Sequence, residues 1–343
     1  MPRRRAFLLL SLANLFWAGN FVFSAVISEQ VDPVSLTFWR WSLAAVPLLV
    51  VAWIAERPDW RAAAREWRWH LVQSVFGLTG YALLLYAGIG LTGSVTASVI
   101  SAINPATIAL AAAVLLGERM SRTQAAGIVL AFIGVAVVLT GGNPVAAFAN
   151  GFGVGDLLVL GAVVAWTVYS IIARRLTTPP ITATALQAVF ATVTMLPVIA
   201  VTGLAMPADA GGALAVAYIV LLPSVAGYAL WNAGSASVGP ARAGVFLNLL
   251  PVFTVIIALL LGRPIDPAAI AGGAVVLVGV WLTVHVPRRP GPRGQNGYQD
   301  NSGAASRTIT ASAASATSPT MSVGSAGGES CSSVSDGSAA SMR

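Results

Sequence analysis

The chain has 343 residues, of which 57% are hydrophobic and only 9% charged. Ordinary soluble domains carry about a quarter charged residues, so a soluble core is excluded and an all-α polytopic membrane protein is expected. Every basic side chain is Arg, and the net charge of +7 reads as membrane orientation, not as a nucleic-acid surface. The one cysteine, Cys331, cannot form an internal disulfide or a cysteine metal cluster.

Arg3-Arg4-Arg5 precede the first apolar run. A signal peptide begins this way too. Here Asn14 and Asn20 interrupt a long run and no small-x-small cleavage site follows, so a retained first helix is expected. Ten stretches long enough to span follow in order, at roughly 6–27, 34–54, 70–88, 94–116, 123–140, 156–174, 183–204, 213–232, 240–261 and 268–286. Pro33, Pro180 and Pro267 sit at or just before span starts, where a missing N–H costs least. Beyond 286 the composition turns to Ser, Ala, Gly and Thr, which cannot bury enough surface to fold. Residues 287–343 are expected to form a disordered cytoplasmic tail, with Arg288, Arg289 and Arg293 at the lipid surface.

The chain repeats itself. Residues 97–118, with Pro105 inside and Leu116-Gly117-Glu118 at the end, recur about 146 residues later as 243–263, with Pro251 inside and Leu261-Gly262-Arg263 at the end. Gly80-Tyr81-Ala82-Leu83 recurs as Gly227-Tyr228-Ala229-Leu230, Gly127 and Gly134 match Gly272 and Gly279, and Trp17 matches Trp166. The expected units are repeat 1 over 6–140, repeat 2 over 155–286 and the tail over 287–343. Each repeat holds an odd number of spans, so the second lies upside down relative to the first. Loop charge agrees. Arg57, Arg61, Arg65, Arg68, Arg119, Arg122, Arg174, Arg175 and Arg242 fall on one side with both termini. Glu29, Asp32, Asp209, Asp266 and a lone Arg263 fall on the other. The positive-inside rule makes both termini cytoplasmic in a multi-pass plasma-membrane (cell inner membrane) protein.

Interrupted helices in an inverted repeat point to a transport site. Pro105 and Pro251 each strip a helical donor from the carbonyl four residues back. Asn20, Asn104, Asn232 and Asn248 are amides inside spans that either line a polar hollow or bond neighbouring helices. Arg40 lies within the second span; it either contacts a carboxylate or phosphate in the solute path or snorkels to the outer interface. Trp17, Trp39, Tyr81, Trp166, Tyr228 and Trp231 either contact an amphipathic solute or pack between helices, whereas Trp60, Trp67 and Trp69 suit an interfacial belt. Glu118 is expected to pair with Arg122 at i,i+4. Gly88-Ile89-Gly90-Leu91-Thr92-Gly93 matches a dinucleotide fingerprint by letter without its strand–turn–helix context and reads as an outer loop, with Gly151 and Gly155 as flexible loop positions. His70 and His285 lie apart at span ends, no metal-ligand spacing occurs, and the core offers no catalytic constellation and no cofactor motif.

Phe16-Trp17-Ala18-Gly19-Asn20-Phe21, Phe38-Trp39-Arg40, Asn104-Pro105 through Leu116-Gly117-Glu118-Arg119, Trp166 and Leu249-Leu250-Pro251 together resemble the EamA family of ten-helix permeases in the drug/metabolite transporter superfamily. The resemblance covers about residues 6–286, with one departure: Arg263 stands where the family's second copy usually has an acidic residue. It implies a cavity between the halves lined by helices 1–4 and 6–9, with helices 5 and 10 peripheral. It also implies secondary export of small metabolites, such as amino acids or drug-like amphipaths, by alternating access. The candidate path residues, read from the residues themselves, are Trp17, Asn20, Trp39, Arg40, Tyr81, Asn104, Pro105, Trp166, Tyr228, Asn248 and Pro251. The expected partners are a small-molecule substrate and the lipid bilayer, without nucleic acid; a homodimer is compatible with the sequence. No intramembrane acid marks a proton carrier, which leaves uncoupled or exchange transport, or Asp156 near a span end. The alternative is a non-transporting membrane sensor or scaffold acting through its tail.

Overall fold

The structure is a computed structural model that describes residues 2–118, 120–143, 153–239, 243, 246–263 and 265–285. The tail at 287–343, Arg119, Gly151 and Arg242 lie outside the described residues. Among the described residues there is no strand. Eight helices are long and apolar enough to cross a membrane: α1 (Arg3–Ile27), α2 (Pro33–Ala55), α4 (Trp67–Thr92), α5 (Ser94–Leu116), α6 (Arg122–Leu139), α7 (Val154–Ala173), α8 (Pro180–Thr202) and α9 (Ala210–Val238). A short helix, α3 (Trp60–Arg65), joins α2 to α4. Two shorter apolar helices, α10 (Leu249–Leu260) and α11 (Pro267–His285), complete the bundle.

Local chemistry fixes most boundaries. Pro33, Pro180 and Pro267 each open a helix, as their missing N–H groups favour. Asp32 accepts bonds from the backbone of Val34 (2.9 Å) and Ser35 (3.0 Å), and Ser121 and Gln124 form a capping box at α6. Glycines in the left-handed region end α4, α5, α8 and α9, at Gly93, Gly117, Gly203 and Gly239. Helix α4 continues through Gly88 to Thr92, so that stretch is helical rather than the loop its glycines suggest. Polar residues at 89–92 are too few to end a helix that lipid surrounds.

Helix partners cross between the two halves of the chain. Helix α1 packs on α9 and α10, and α7 packs on α4 and α5; α2 pairs with α8, and α6 with α11. The α6–α11 seam is a glycine contact. A Cβ on Gly134 would stand 2.6 Å from Val276 N, and one on Gly127 2.6 Å from the Gly279 carbonyl. The small-residue faces let the two backbones approach closely. Gly155, read from sequence as a loop position, is a buried helical contact of α7: its added Cβ would stand 3.1 Å from the Gly88 carbonyl.

The loops gather into two groups. In one, Glu56 accepts from the amides of Ile181 (2.9 Å) and Thr182 (2.7 Å), capping α8 from outside. Glu66 takes the hydroxyls of Thr177 (2.7 Å) and Thr178 (2.6 Å) together with both amides, and His70 Nε2 lies 3.1 Å from the same Thr178 hydroxyl. Glu118 pairs with Arg174 in this group. The expected i,i+4 pair with Arg122 lacks its geometry, because Gly117 ends one helix and Ser121 caps the next. In the other group, Gln30 bonds Asp209 (3.2 Å) and the Ala208 amide (3.1 Å), and Thr92 bonds Asp156. Trp60, Trp67 and Trp69 are exposed near the first group, with Arg68 over Trp67 and Arg175 over Trp69.

Two outcomes follow. Gly134→Val should lower the melting temperature of the detergent-solubilised protein through overpacking worth about 1–3 kcal/mol. Gly161→Ala, whose added Cβ meets only Leu84 Cδ1 at 3.4 Å, should leave it nearly unchanged. At Glu66 burial opposes the charge, but the hydroxyls and amides of Thr178 and Thr177 outweigh it and hold the carboxyl below its ordinary value of 4.5. Its hold on the 177–178 turn is therefore complete above pH 4.5 and lost as pH falls through the lowered folded-state value. The protection of the Thr177 and Thr178 amides, relative to their intrinsic exchange rates, should fall with acid in that window, and Glu66→Gln should remove that loss of protection.

Candidate functional site

Two helices leave the α-helical path in the middle of the bundle. Ser74–Gly80 in α4 and Val220–Ala226 in α9 are π-helical, each running directly into the repeated Gly-Tyr-Ala-Leu. A wider turn shifts the carbonyls out of line and frees acceptors. Indoles take them: Trp41 Nε1 donates to the Leu78 carbonyl (3.0 Å) and Trp17 Nε1 to the Pro223 carbonyl (3.0 Å). The second of these bonds joins the two halves of the chain. A Cβ on Gly227 would meet Trp17 Nε1 at 2.9 Å, so this glycine makes room for the indole.

Two further departures lie at the proline motifs. In α5 a turn at Ala102–Ile103 separates Ser94–Ser101 from Asn104–Leu116, and Pro105 is the second residue of the second piece. Leu247–Asn248 is a turn directly before α10, in which Pro251 is the third residue. The side-chain oxygens of Asn104 and Asn248 are buried at these breaks with no hydrogen-bond partner, although both residues as a whole are only half-buried. Thr107 Oγ1, bonded to the Asn104 carbonyl (2.9 Å), also meets Thr167 Oγ1 on α7 (2.8 Å).

The aromatic candidates assemble in a crossed pattern. Trp17 on α1 packs on Tyr228 (5.8 Å) and Trp231 (5.3 Å) of α9, while Trp166 on α7 packs on Tyr81 of α4 (5.0 Å) and on Tyr169 (4.9 Å). The Trp and Tyr that match by repetition thus meet across the halves. All six are half-buried although they lie in the interior stretches of their helices.

Arg40 does not snorkel. It is 4% exposed, and its guanidinium turns inward. Nε donates to Ser224 Oγ (2.8 Å) and Nη1 to the Tyr86 hydroxyl (2.8 Å), which donates in turn to Asn20 Oδ1 (2.9 Å). Ser224, within the π-helical segment of α9, donates to the Ile219 carbonyl (2.8 Å) just before it. The Trp41 ring lies 4.6 Å from the guanidinium carbon. Asn20 and Arg40 therefore belong to one knot spanning α1, α2, α4 and α9. Trp39 stands apart, its indole N–H held by the Ala205 carbonyl (3.0 Å) in the loop before α9.

Tyr86, Ser224, Trp41 and Tyr169 were missed in the sequence. Pro223-Ser224 inside an apolar span was an available signal; nothing distinguishes Tyr86 in Leu83-Leu84-Leu85-Tyr86 except its hydroxyl. A cleft of about 500 Å³ opens at the second loop group, lined by Val22, Ala25, Thr92, Ser94, Arg263 and Asp266 among others.

Membrane-crossing helices arranged around inward-facing polar and aromatic groups define a multi-pass membrane protein. The EamA-like transporter family matches residues 4–140 and again 153–285, and the chain belongs to that family, consistent with the drug/metabolite transporter superfamily. It is 28% identical to the Bacillus subtilis (strain 168) "Uncharacterized transporter YyaM", over 84% of this chain and 97% of that protein. It is 31% identical to the Streptantibioticus cattleyicolor "Probable terminal-alkyne amino-acid exporter", over 82% and 94% respectively. A "Probable amino-acid metabolite efflux pump" of Salmonella typhimurium is 26% identical, over 83% and 96%. One crystal structure has the same fold, with a TM-score of 0.58 and 21% identity over 84% of this chain and 99% of its own.

Trp41→Phe and Trp17→Phe should each cost about 0.5–1.5 kcal/mol, the net worth of one buried hydrogen bond. Faster hydrogen exchange should be confined to 74–80 in the first variant and 220–226 in the second. Exchange rising evenly over the bundle would count against the indoles as local supports.

Proposed function

We propose that the protein is a secondary transporter that exports small metabolites, such as amino acids or drug-like amphipaths, by alternating access. In this reading two inverted five-helix repeats, 6–140 and 155–286, enclose a hollow near the membrane midplane. The observation that carries it is the crossed aromatic pairing of Trp17 with Tyr228 and of Trp166 with Tyr81. Half-buried aromatics in interior helical stretches line a wall better than they fill a core. Asn104 and Asn248, whose buried oxygens lack donors, stand at helix breaks where freed backbone can meet a solute. The double family match and the paired π-helical segments support the duplication, and the odd number of spans per repeat supports its inversion.

The moving bodies are composite. Since α1 packs on α9 and α10, and α7 on α4 and α5, each repeat lends its first helix to the other. Rocking then shifts α1–α9–α10 against α7–α4–α5, with the α6–α11 glycine seam as a peripheral support. The Arg-rich loops gather with Glu56, Glu66 and Glu118, which supports a cytoplasmic face there and cytoplasmic termini. The cleft beside Arg263 and Asp266 is then on the outer side, where an exported solute leaves. The exporter reading of the solute follows the names of the Streptantibioticus and Salmonella relatives.

Efflux of radiolabelled amino acids from expressing cells tests the reading. Trp17→Ala and Trp166→Ala should each lower flux at least about tenfold, the effect of about 1.4 kcal/mol at a binding wall. Deletion of 290–343 should leave flux intact. Unchanged flux in both tryptophan variants would overturn the path, and loss of function only on tail deletion would favour the scaffold.

A further inference from the structure

Arg40 is a cation in the membrane interior, about 10 Å along α2 from Pro33. A charge there needs compensation. Among the described residues no carboxylate comes within ion-pair distance of it, and the carboxylates lie in loops, caps or first helical turns. Its partners are neutral: Ser224, Tyr86 and the Trp41 ring. These hydrogen bonds use two of its five N–H donors. The Trp41 ring against its guanidinium lies 6.4 Å from the ring of Tyr228, the half-buried tyrosine paired with Trp17.

We propose that Arg40 is the anchor for a carboxylate on the transported solute, which supplies the counter-charge that the protein lacks. This rests on the transport reading above. A guanidinium fork matches the two oxygens of a carboxylate. The aromatic pairs beside it suit an apolar or aromatic body, so the solute class is an amphipathic carboxylic acid, including amino acids. Docking the carboxylate displaces Ser224 and Tyr86 as guanidinium partners. Since Ser224 belongs to the π-helical segment of α9, and Tyr86 holds Asn20 on α1, binding loosens the tie between the first-half helices and α9. Recognition of charge and release of that tie are then one event.

The test is flux in proteoliposomes loaded with the full-length protein, with matched radiolabelled probes: L-phenylalanine and L-leucine against L-phenylalaninamide and L-leucinamide. The acids should move at least about tenfold faster than their amides, and Arg40→Gln should remove that preference by lowering acid flux. Ser224→Ala keeps the charge and removes a competing resting partner, so it should lower the half-saturating acid concentration; a purely structural Ser224 would give weaker transport instead. Equal flux of acid and amide in the wild type, or acid flux surviving in a folded Arg40→Gln, would overturn the anchor while leaving transport itself standing. No flux of any probe above protein-free vesicles would overturn the transport reading, and the anchor with it.

Discussion

Lipid offers no partner to a backbone N–H or C=O, so a chain that crosses it must satisfy those groups internally. Regular helices do this automatically. Among the described residues, two π-helical segments and two turns depart from the regular helix, and they come in matched pairs. Such departures persist only where something else meets the displaced groups. Indoles from Trp17 and Trp41 meet two carbonyls, and the Ser224 hydroxyl meets a third. The irregular stretches therefore face the bundle interior.

The same constraint explains the side-chain chemistry around them. Several polar groups inside the bundle are chained: Asn20 to Tyr86 to Arg40 to Ser224, and separately Gln187 to Gln73 to the Tyr169 carbonyl. Near the loops, the carboxylates of Glu56 and Glu66 do ordinary capping work, holding the start of α8 and the turn before it. The seam between α6 and α11 is mainly glycine contact, with Gln124 donating to the Thr283 carbonyl (3.4 Å) at one end. The molecule thus separates a close-packed support, a polar latch at the loops and an aromatic interior that holds the buried charge of Arg40.

Much of this was legible in the sequence. Prolines at 33, 180 and 267 marked helix starts, because φ and the missing N–H act locally. Pro105 and Pro251 marked the broken helices for the same reason, although the breaks fall before each proline. Apolar length found the long helices, since hydropathy is a property of the stretch itself. What escaped depends on distant partners. Glu118 finds Arg174 because a left-handed Gly117 separates it from the helix of Arg122. Gly155 is a contact because Gly88 lies opposite. The Trp39 indole is held by the Ala205 carbonyl in a loop far along the chain, and Arg40 turns inward to Ser224 and Tyr86. The π-helical segments left little trace beyond Gly77, Gly80 and Pro223.

Alternating access, as proposed, requires a hollow between the two halves that opens to each side in turn. Single cysteines at position 104 or 248, in a chain with Cys331→Ser, can be probed with a membrane-impermeant thiol reagent from either side of oriented vesicles. Each cysteine should react from both sides, and a transported solute should slow the reaction from both. A cysteine that never reacts from either side, or vesicles that leak the reagent through an open pore, would contradict it.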